Sequence, residues 1–111
     1  MGEETRLINF EILGSGENYN LATAQNTGIR LSYKQNHVKF EFATLDFLNA
    51  RQIKYSYKLD GFDAKWIENG NNNSATYTNL TGGDYTFKVR AAIKEAVWYE
   101  KELAVKLHIN A

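Results

Sequence analysis

The chain has 111 residues, with 13 basic and 13 acidic side chains and neither cysteine nor proline. Its balanced charge excludes a global field that would draw it to nucleic acid or to an anionic surface. The lack of cysteine excludes disulfides, thiolate metal sites and thiol nucleophiles. No apolar run approaches the roughly 20 residues that cross a bilayer, and the acidic start does not resemble a signal peptide. We therefore expect one soluble domain over residues 1–111, with no membrane segment in this fragment.

The first part of the chain predicts three strands. Apolar residues at every second position are typical of half-buried strands, because successive side chains point to opposite faces of a sheet. A strand over residues 5–13 leads to Gly14, and a polar, asparagine-rich loop follows over residues 17–27. A turn at Gln35 and Asn36 separates the next two strands. The inward positions of these strands are Ile8, Phe10 and Ile12, then Ile29, Leu31 and Tyr33, then Val38, Phe40 and Phe42.

The second part continues the alternation after a turn near Asn49 and Ala50. Short strands over residues 66–68 and 75–79 flank a polar turn. The inward positions of the longer strands are Ile53, Tyr55, Tyr57 and Leu59, then Tyr85, Phe87, Val89 and Ala91, then Leu103, Val105, Leu107 and Ile109. Seven to nine short strands with turn signals between them predict an all-β, antiparallel sandwich of the immunoglobulin or fibronectin type III-like class. We expect its first and last strands to be edges that mediate pairing.

A tight turn, LTGGDY over residues 80–85, leads into a late strand through Tyr85. In immunoglobulin-like folds a tyrosine at this corner bonds through its hydroxyl to the backbone a few residues upstream. The turn therefore predicts such a tyrosine corner, with Tyr85 as a packing residue.

Two segments carry a family resemblance: YSYKLDGFDAKW (residues 55–66) and ATYTNLTGGDYTFKVRAA (residues 75–92), followed by Trp98. They resemble the Y_Y_Y (triple-tyrosine) domain, and LSYKQNHVKFEFATLDF (residues 31–47) is similar to its first half. The resemblance covers about residues 29–109, with the strand over residues 5–13 before it. The positions that match the family pattern are Tyr55, Tyr57, Leu59, Gly61, Asp63, Trp66, Tyr77, Leu80, Gly83, Tyr85 and Trp98. We interpret Tyr55, Tyr57, Trp66, Tyr77 and Tyr85 as fold-defining residues.

The resemblance implies a role. Such domains are fibronectin-III-like modules that follow β-propeller repeats in the periplasmic sensor half of hybrid two-component regulators of gut Bacteroidetes. The family implies a module that lies between the ligand-binding propellers and the membrane helix and passes on a change in geometry. Its expected partners are neighbouring sensor domains or a second copy of itself, and its expected location is periplasmic in the parent protein.

The segment after Ala92 departs from the family pattern. Ile93 stands where the family tends to have asparagine, Ala96 where it has glycine and Tyr99 where it has serine. These replacements remove tolerance for positive φ and add apolar surface. We therefore name Ile93, Val97, Trp98 and Tyr99 as a candidate interaction surface. Either the chain is a divergent natural member, or this loop was altered deliberately to make an engineered scaffold, a reading that the absence of proline also favours.

The sequence offers no catalytic, cofactor or metal site. His37 and His108 have no partner at metal-ligand spacing and are expected to be solvated or lightly hydrogen-bonded surface residues. The DGFD segment, residues 60–63, lacks the further oxygen ligands of a calcium loop, so we interpret it as a turn capped by an aspartate. No nucleophile elbow or triad is present. We predict that the domain is not an enzyme and has no cofactor.

A carbohydrate-binding module is the alternative from another class. It would use exposed aromatic residues as a platform for weak glycan contact, and only Trp98 and Tyr99, with Tyr19 or Tyr33, are free to supply one. The other aromatic residues fall on the inward face of predicted strands, where core packing is expected.

Overall fold

The computed structural model describes residues 5–14, 17–18, 27–44, 53–94, 97–98 and 102–111. Over these residues the chain is an all-β sandwich, which confirms the predicted fold class, with ten strands rather than seven to nine because two pairs of residues form very short ones. The strands are β1 Thr5–Ile12, β2 Glu17–Asn18, β3 Ile29–Leu31, β4 Val38–Thr44, β5 Lys54–Asp60, β6 Ile67–Gly70, β7 Ser74–Tyr77, β8 Gly83–Lys94, β9 Val97–Trp98 and β10 Leu103–Ile109. No helix in the described part of the chain is long and apolar enough to span a membrane.

The strands form two sheets in immunoglobulin-like order. The first sheet has the order β2-β1-β4-β7, and the second has the order β3-β10-β8-β5-β6, with β9 beside β8. All pairs are antiparallel except β3 and β10, which run parallel with Leu107 opposite Ile29. The expectation that the first and last strands are edges was wrong. β2 covers the outer side of β1 and β3 covers that of β10, and neither short strand has an alternation long enough to predict its pairing.

The core lies between the sheets and follows the predicted alternation. Phe40 of the first sheet stacks on Phe87 of the second at a centroid distance of 4.0 Å, and both are fully buried. Phe10 and Tyr77 pack around the Phe40 ring. Such offset aromatic contacts add to the free energy gained from burial. Period-two patterning is therefore sufficient to predict most of this core.

The first strand departs from its predicted facing. Leu7 is 2% exposed and Ile8 is 46% exposed, so Leu7, and not Ile8, faces the core. The register between β1 and β4 shifts between Leu7 and Asn9, which marks a β-bulge. One extra residue in a bulge changes which side chains point inward. The alternation seen from Phe10 and Ile12 thus does not extend back to Ile8.

The chain enters and leaves the sandwich at opposite ends. At one end, which we call the entry end, Thr5 at the start of β1 lies opposite Thr44. At the other, the exit end, Ile109 at the end of β10 lies opposite Gly83. The strand registers place the end of β8 and the start of β5 at the entry end, because Lys54 pairs with Ala92. The molecule is 42 Å long and 28 × 23 Å across.

Candidate functional site

At the entry end, Tyr55 connects the two sheets. Its ring packs edge-on against Phe42 inside the core. Its hydroxyl accepts a hydrogen bond of 3.1 Å from the backbone N–H of Thr44, and the Thr44 hydroxyl bonds to that of Thr5 at 2.6 Å. The three residues are buried. Since a buried N–H without a partner costs free energy, Tyr55 fixes the end of β4 to the start of β5.

At the exit end, Asp63 connects the sheets in a second way. Asp63 Oδ2 accepts the hydroxyl of Tyr77 at 2.6 Å and the N–H of Leu59 at 2.9 Å. The N–H groups of Phe62 and Asp63 both donate to the carbonyl of Leu59. The predicted aspartate-capped turn is therefore confirmed. Its carboxylate also reaches Tyr77 on the opposite sheet, so β5 is held to the first sheet near both of its ends.

The electrostatics of this contact follow from burial. Desolvation raises the pKa of Tyr77 far above its ordinary value, and the hydrogen bond and the charge of Asp63 raise it further. The Tyr57 ring packs edge-on against that of Tyr77 at 6.1 Å. Burial, followed by the charge of Asp63, raises the pKa of Tyr57 as well. Both phenols therefore stay neutral hydrogen-bonding groups well into alkaline solution.

The predicted tyrosine corner is confirmed. The Tyr85 hydroxyl donates to the carbonyl of Thr81 at 2.7 Å. Gly61 adopts φ +98°, and a Cβ atom built on it would lie 3.0 Å from the carbonyl oxygen of Asp84 and 3.0 Å from Cδ1 of Tyr85. The turn after β5 can pack against the Tyr85 corner only because residue 61 has no side chain.

Trp66 lies on the outer face of the second sheet. The Arg90 guanidinium lies 4.3 Å from the centroid of the Trp66 ring. Ser56 of β5 pairs with Arg90 of β8 and with Glu68 of β6, and it is 4% exposed although it faces outward. To reach Arg90 from the residue before β6, the Trp66 ring must extend over β5. Its contact is therefore a cation–π stack on the sheet surface.

The histidines occupy the surface, as predicted. His37 Nδ1 accepts the backbone N–H of Asn79 at 3.0 Å. His108 Nδ1 lies 2.6 Å from Asp84 Oδ1, and its Nε2 lies 3.1 Å from Asn110 Oδ1. Both contacts join neighbouring segments at the exit end, which is a structural use of the two side chains.

An open groove of about 470 Å³ crosses the outer face of the second sheet at the exit end. Its charged lining comes from Arg30, Asp60, Asp84, Lys106 and His108. Asp60 contacts Lys88 at 2.6 Å and Lys58 at 3.2 Å, and hydrogen bonds from Lys88 and then Lys58 hold the pKa of Asp60 below its ordinary value. In the described ranges no three histidine, aspartate or glutamate side chains are grouped to hold a metal. The charged contacts of this surface thus include an aspartate–lysine cluster around Asp60 and the Asp84–His108 pair.

The candidate interaction surface lies at the entry end as far as its backbone is described. β8 continues to Lys94, and β9 pairs with it through Trp98 opposite Ala92 and Val97 opposite Lys94. Because β5 occupies the other side of β8, β9 lies on the side of β10. The structure does not describe the side chains of Ile93, Val97 and Trp98, or any part of Tyr99. The predicted interaction surface therefore stays a prediction. The same holds for Tyr19 and for the turn near Asn49.

Two exposed aromatic residues lie at turn tips of the exit end. Tyr33 is 60% exposed in the turn after β3 and Phe62 is 55% exposed in the turn after β5, which makes them the most exposed large apolar side chains of the described residues. Tyr33 was predicted to continue a strand, but β3 ends at Leu31. The exposure of Phe62 could have been predicted from the sequence. The DGFD segment was interpreted as a turn, and a side chain at a turn tip points away from the core.

Comparison with known proteins gives a consistent result. The sequence pattern of the Y_Y_Y domain family matches residues 46–110, which is more than half of the chain. Histidine kinase P4 of Formosa agariphila is 28% identical over 82 residues, which cover 74% of this chain and 6% of that protein.

Two solved structures that resemble the chain are extracellular domains from B. thetaiotaomicron. That of the hybrid two-component system BT3049 superposes with a TM-score of 0.80 at 25% identity, covering 98% of this chain and 15% of that one. That of the one-component system BT4673 gives a TM-score of 0.79 at 23% identity, covering 99% and 16%. The chain thus spans about a sixth of these structures and a smaller part of the kinase.

Proposed function

The chain belongs to the Y_Y_Y domain family, a module of hybrid two-component sensor proteins, and on that basis we propose that it transmits signals as a non-catalytic spacer in the periplasmic part of such a sensor. The observation that carries the proposal is the placement of entry and exit at opposite ends of the sandwich. A module connected in this way lies in series between the segments before and after it. Any displacement between those segments passes through its two sheets.

A module in series transmits displacement only if it resists deformation. The Tyr55–Thr44 and Asp63–Tyr77 hydrogen bonds join the sheets near both ends of β5. The Phe40–Phe87 stack joins them in the middle. Close-packed protein interiors transmit strain because they are only slightly compressible. These contacts support the proposal that the sandwich moves as one body.

The entry end supplies a surface for a neighbouring domain. The β8–β9 hairpin extends beyond the start of β5 there, and its backbone carries Ile93, Val97 and Trp98. We assign the predicted interaction surface of Ile93, Val97, Trp98 and Tyr99 to contact with the preceding sensor domain or with a second copy of the module. The glycan-binding alternative needs several aromatic residues exposed on one face. In the described residues, the exposed rings of Tyr33 and Phe62 lie on opposite flanks of the second sheet and so do not form one such platform.

Insertion of a flexible segment tests the serial role. In a hybrid two-component sensor that carries this domain, a Gly-Ser segment of about eight residues is inserted after Asn110, because a flexible linker does not pass on orientation. The matched control places the same insertion in the exposed turn between Asn71 and Asn72, outside the path from entry to exit. We expect the first insertion to abolish ligand-dependent phosphorylation and the control to retain it. Retained signalling with both insertions would contradict the proposal.

A further inference from the structure

The exposed aromatic residues of the exit end belong to two separate turns. Tyr33 and Lys34 form the tip of the turn in which Gln35 N–H donates to the carbonyl of Ser32. Phe62 is held at the tip of the other turn by its N–H bond to Leu59 and by edge-on packing of its ring against Tyr77 at 5.7 Å. β3 ends level with the last strand, since Leu31 pairs with Ile109. β5 ends earlier, with Asp60 opposite Thr86, but the turn after it reaches the level of Asp84, against which Gly61 packs. Fixed turns therefore present both rings outward at the exit end.

The two turns flank the point where the chain leaves the sandwich. β3 and β5 are separated in the sheet by β10 and β8. Three inter-strand steps of about 4.8 Å place the turns roughly 14 Å apart. Between them lie polar residues: Thr81, Asp84, His108 and Asn110. The exposed apolar surface is thus divided into two isolated contacts.

This division favours a particular kind of partner. A specific protein interface needs a contiguous, well-packed apolar centre surrounded by a polar rim. A bilayer surface is fluid, and each aromatic side chain can enter its interfacial layer independently, as tyrosine and other aromatic residues do at membrane boundaries. Two separated rings on one end of the molecule therefore fit a bilayer surface better than a protein interface.

The charges of the exit end are compatible with lipid headgroups. Lys34 lies beside the Tyr33 ring, with its Nζ 5.8 Å from the ring centroid, and Lys65 is exposed three residues after Phe62. Of the nearby carboxylates, Asp60 pairs with two lysines. Asp63 accepts the neutral Tyr77 hydroxyl, and Asp84, whose side chain is 88% exposed, contacts His108. Exposed lysines beside exposed aromatic residues are the combination that binds anionic lipid surfaces.

We propose that the exit end rests on the surface of a phospholipid bilayer, with Tyr33 and Phe62 in the interfacial layer and Lys34 and Lys65 at the headgroups. The proposal rests on the proposed function, a module in the periplasmic part of a membrane-bound sensor. Contact at two points fixes the tilt of the sandwich relative to the bilayer. The covalent connection at the end of β10 alone does not fix this tilt. A displacement at the entry end then becomes a defined movement at the membrane.

Vesicle binding tests the contact directly. The chain, with a hexahistidine tag after Ala111, is bound to vesicles of phosphatidylethanolamine and phosphatidylglycerol that contain a small fraction of nickel-chelating lipid. The tag brings the exit end to the surface and raises its effective concentration there. We expect Y33S/F62S to weaken the apparent affinity, measured by co-sedimentation, by about tenfold. The control I8S removes an exposed isoleucine elsewhere and is expected to leave the affinity unchanged.

A second pair of variants covers the case in which loss of Phe62 packing disturbs the fold. K34E/K65E changes exposed charges only, and we expect it to weaken binding to the anionic vesicles about tenfold but not binding to phosphatidylcholine vesicles. K54E, at the entry end, is the matched control. Binding of both double variants with wild-type affinity overturns the bilayer contact, whereas the linker insertion decides the serial role separately. If Y33S/F62S instead abolishes self-association in sedimentation and leaves vesicle binding intact, the surface belongs to a protein partner and the proposal is wrong.

Discussion

The hydroxyl of Tyr77 donates to Asp63 Oδ2 at 2.6 Å, which joins an edge strand of one sheet to a turn of the other. The two residues lie 14 positions apart in the sequence. The same carboxylate oxygen accepts the N–H of Leu59, so one side chain both closes its own turn and fastens the opposite sheet. Asp63 and Tyr77, two separate positions of the family pattern, thus form one hydrogen bond.

Removing the Tyr77 hydroxyl isolates the free energy of this contact. We expect Y77F to lower the free energy of unfolding by about 2 kcal/mol, because a hydrogen bond to a charged acceptor is lost in a largely buried site. Urea denaturation measures the change. Y33F, which removes a hydroxyl from an exposed ring, is the control and should stay within about 0.5 kcal/mol of the wild type. An equal effect of the two variants would show that Asp63 does not need Tyr77.

The raised pKa of Tyr77 predicts a loss of stability in alkaline solution. An unfolded tyrosine ionises near pH 10, whereas the folded Tyr77 keeps its proton there. Its contribution is therefore complete below about pH 10 and declines above it, with a slope of about 1.4 kcal/mol per pH unit. Urea midpoints between pH 8 and 11 should show this decline. In Y77F the decline should be shallower, with Tyr57 and Lys88, whose pKa values are also raised, responsible for what remains.

Substitution of Gly61 tests the packing of the turn against the tyrosine corner. G61A introduces a Cβ only 3.0 Å from the Asp84 carbonyl and the Tyr85 ring at φ +98°. We expect a loss of about 3 kcal/mol from backbone strain and steric overlap together. G70A also has positive φ, but its Cβ would meet nothing within 4 Å, so it should cost about 1 kcal/mol. Equal losses in thermal or urea unfolding would remove the steric part of the explanation.

The Tyr55 hydroxyl gives a local test at the entry end. Y55F leaves the buried N–H of Thr44 without its acceptor, and we expect a cost of about 1–3 kcal/mol. Hydrogen exchange read by NMR should show faster exchange of the Thr44 amide in Y55F. The Phe42 amide, which donates to the carbonyl of Asn73, should change less in a local effect. Uniform acceleration of both amides would indicate global destabilisation and not loss of one contact.

Local patterns predicted those parts of the fold that depend on neighbours in sequence. The alternation around Phe40 and Phe87 was enough to place both in the core, and the turn before Tyr85 was enough to predict its corner bond. The capped turn at Asp63 was predicted for the same reason, since its cap lies four residues away.

The remaining features depend on contacts that are distant in sequence. The alternation could not show the bulge that exposes Ile8, because a bulge is defined by register against β4. The three residues of β3 carry too short a pattern to predict parallel pairing with β10. The partner of Asp63 on another sheet, and the Arg90 position over Trp66, likewise required the three-dimensional structure.

The parallel pairing of β3 with β10 has a consequence for mechanical strength. The last strand is hydrogen-bonded on both sides, to β3 and to β8, and it runs toward the exit end. A pulling force applied between entry and exit would have to shear both rows of bonds at once, since inter-strand bonds lie across the strands and not along them. Peeling them open one by one would require a pull from the side.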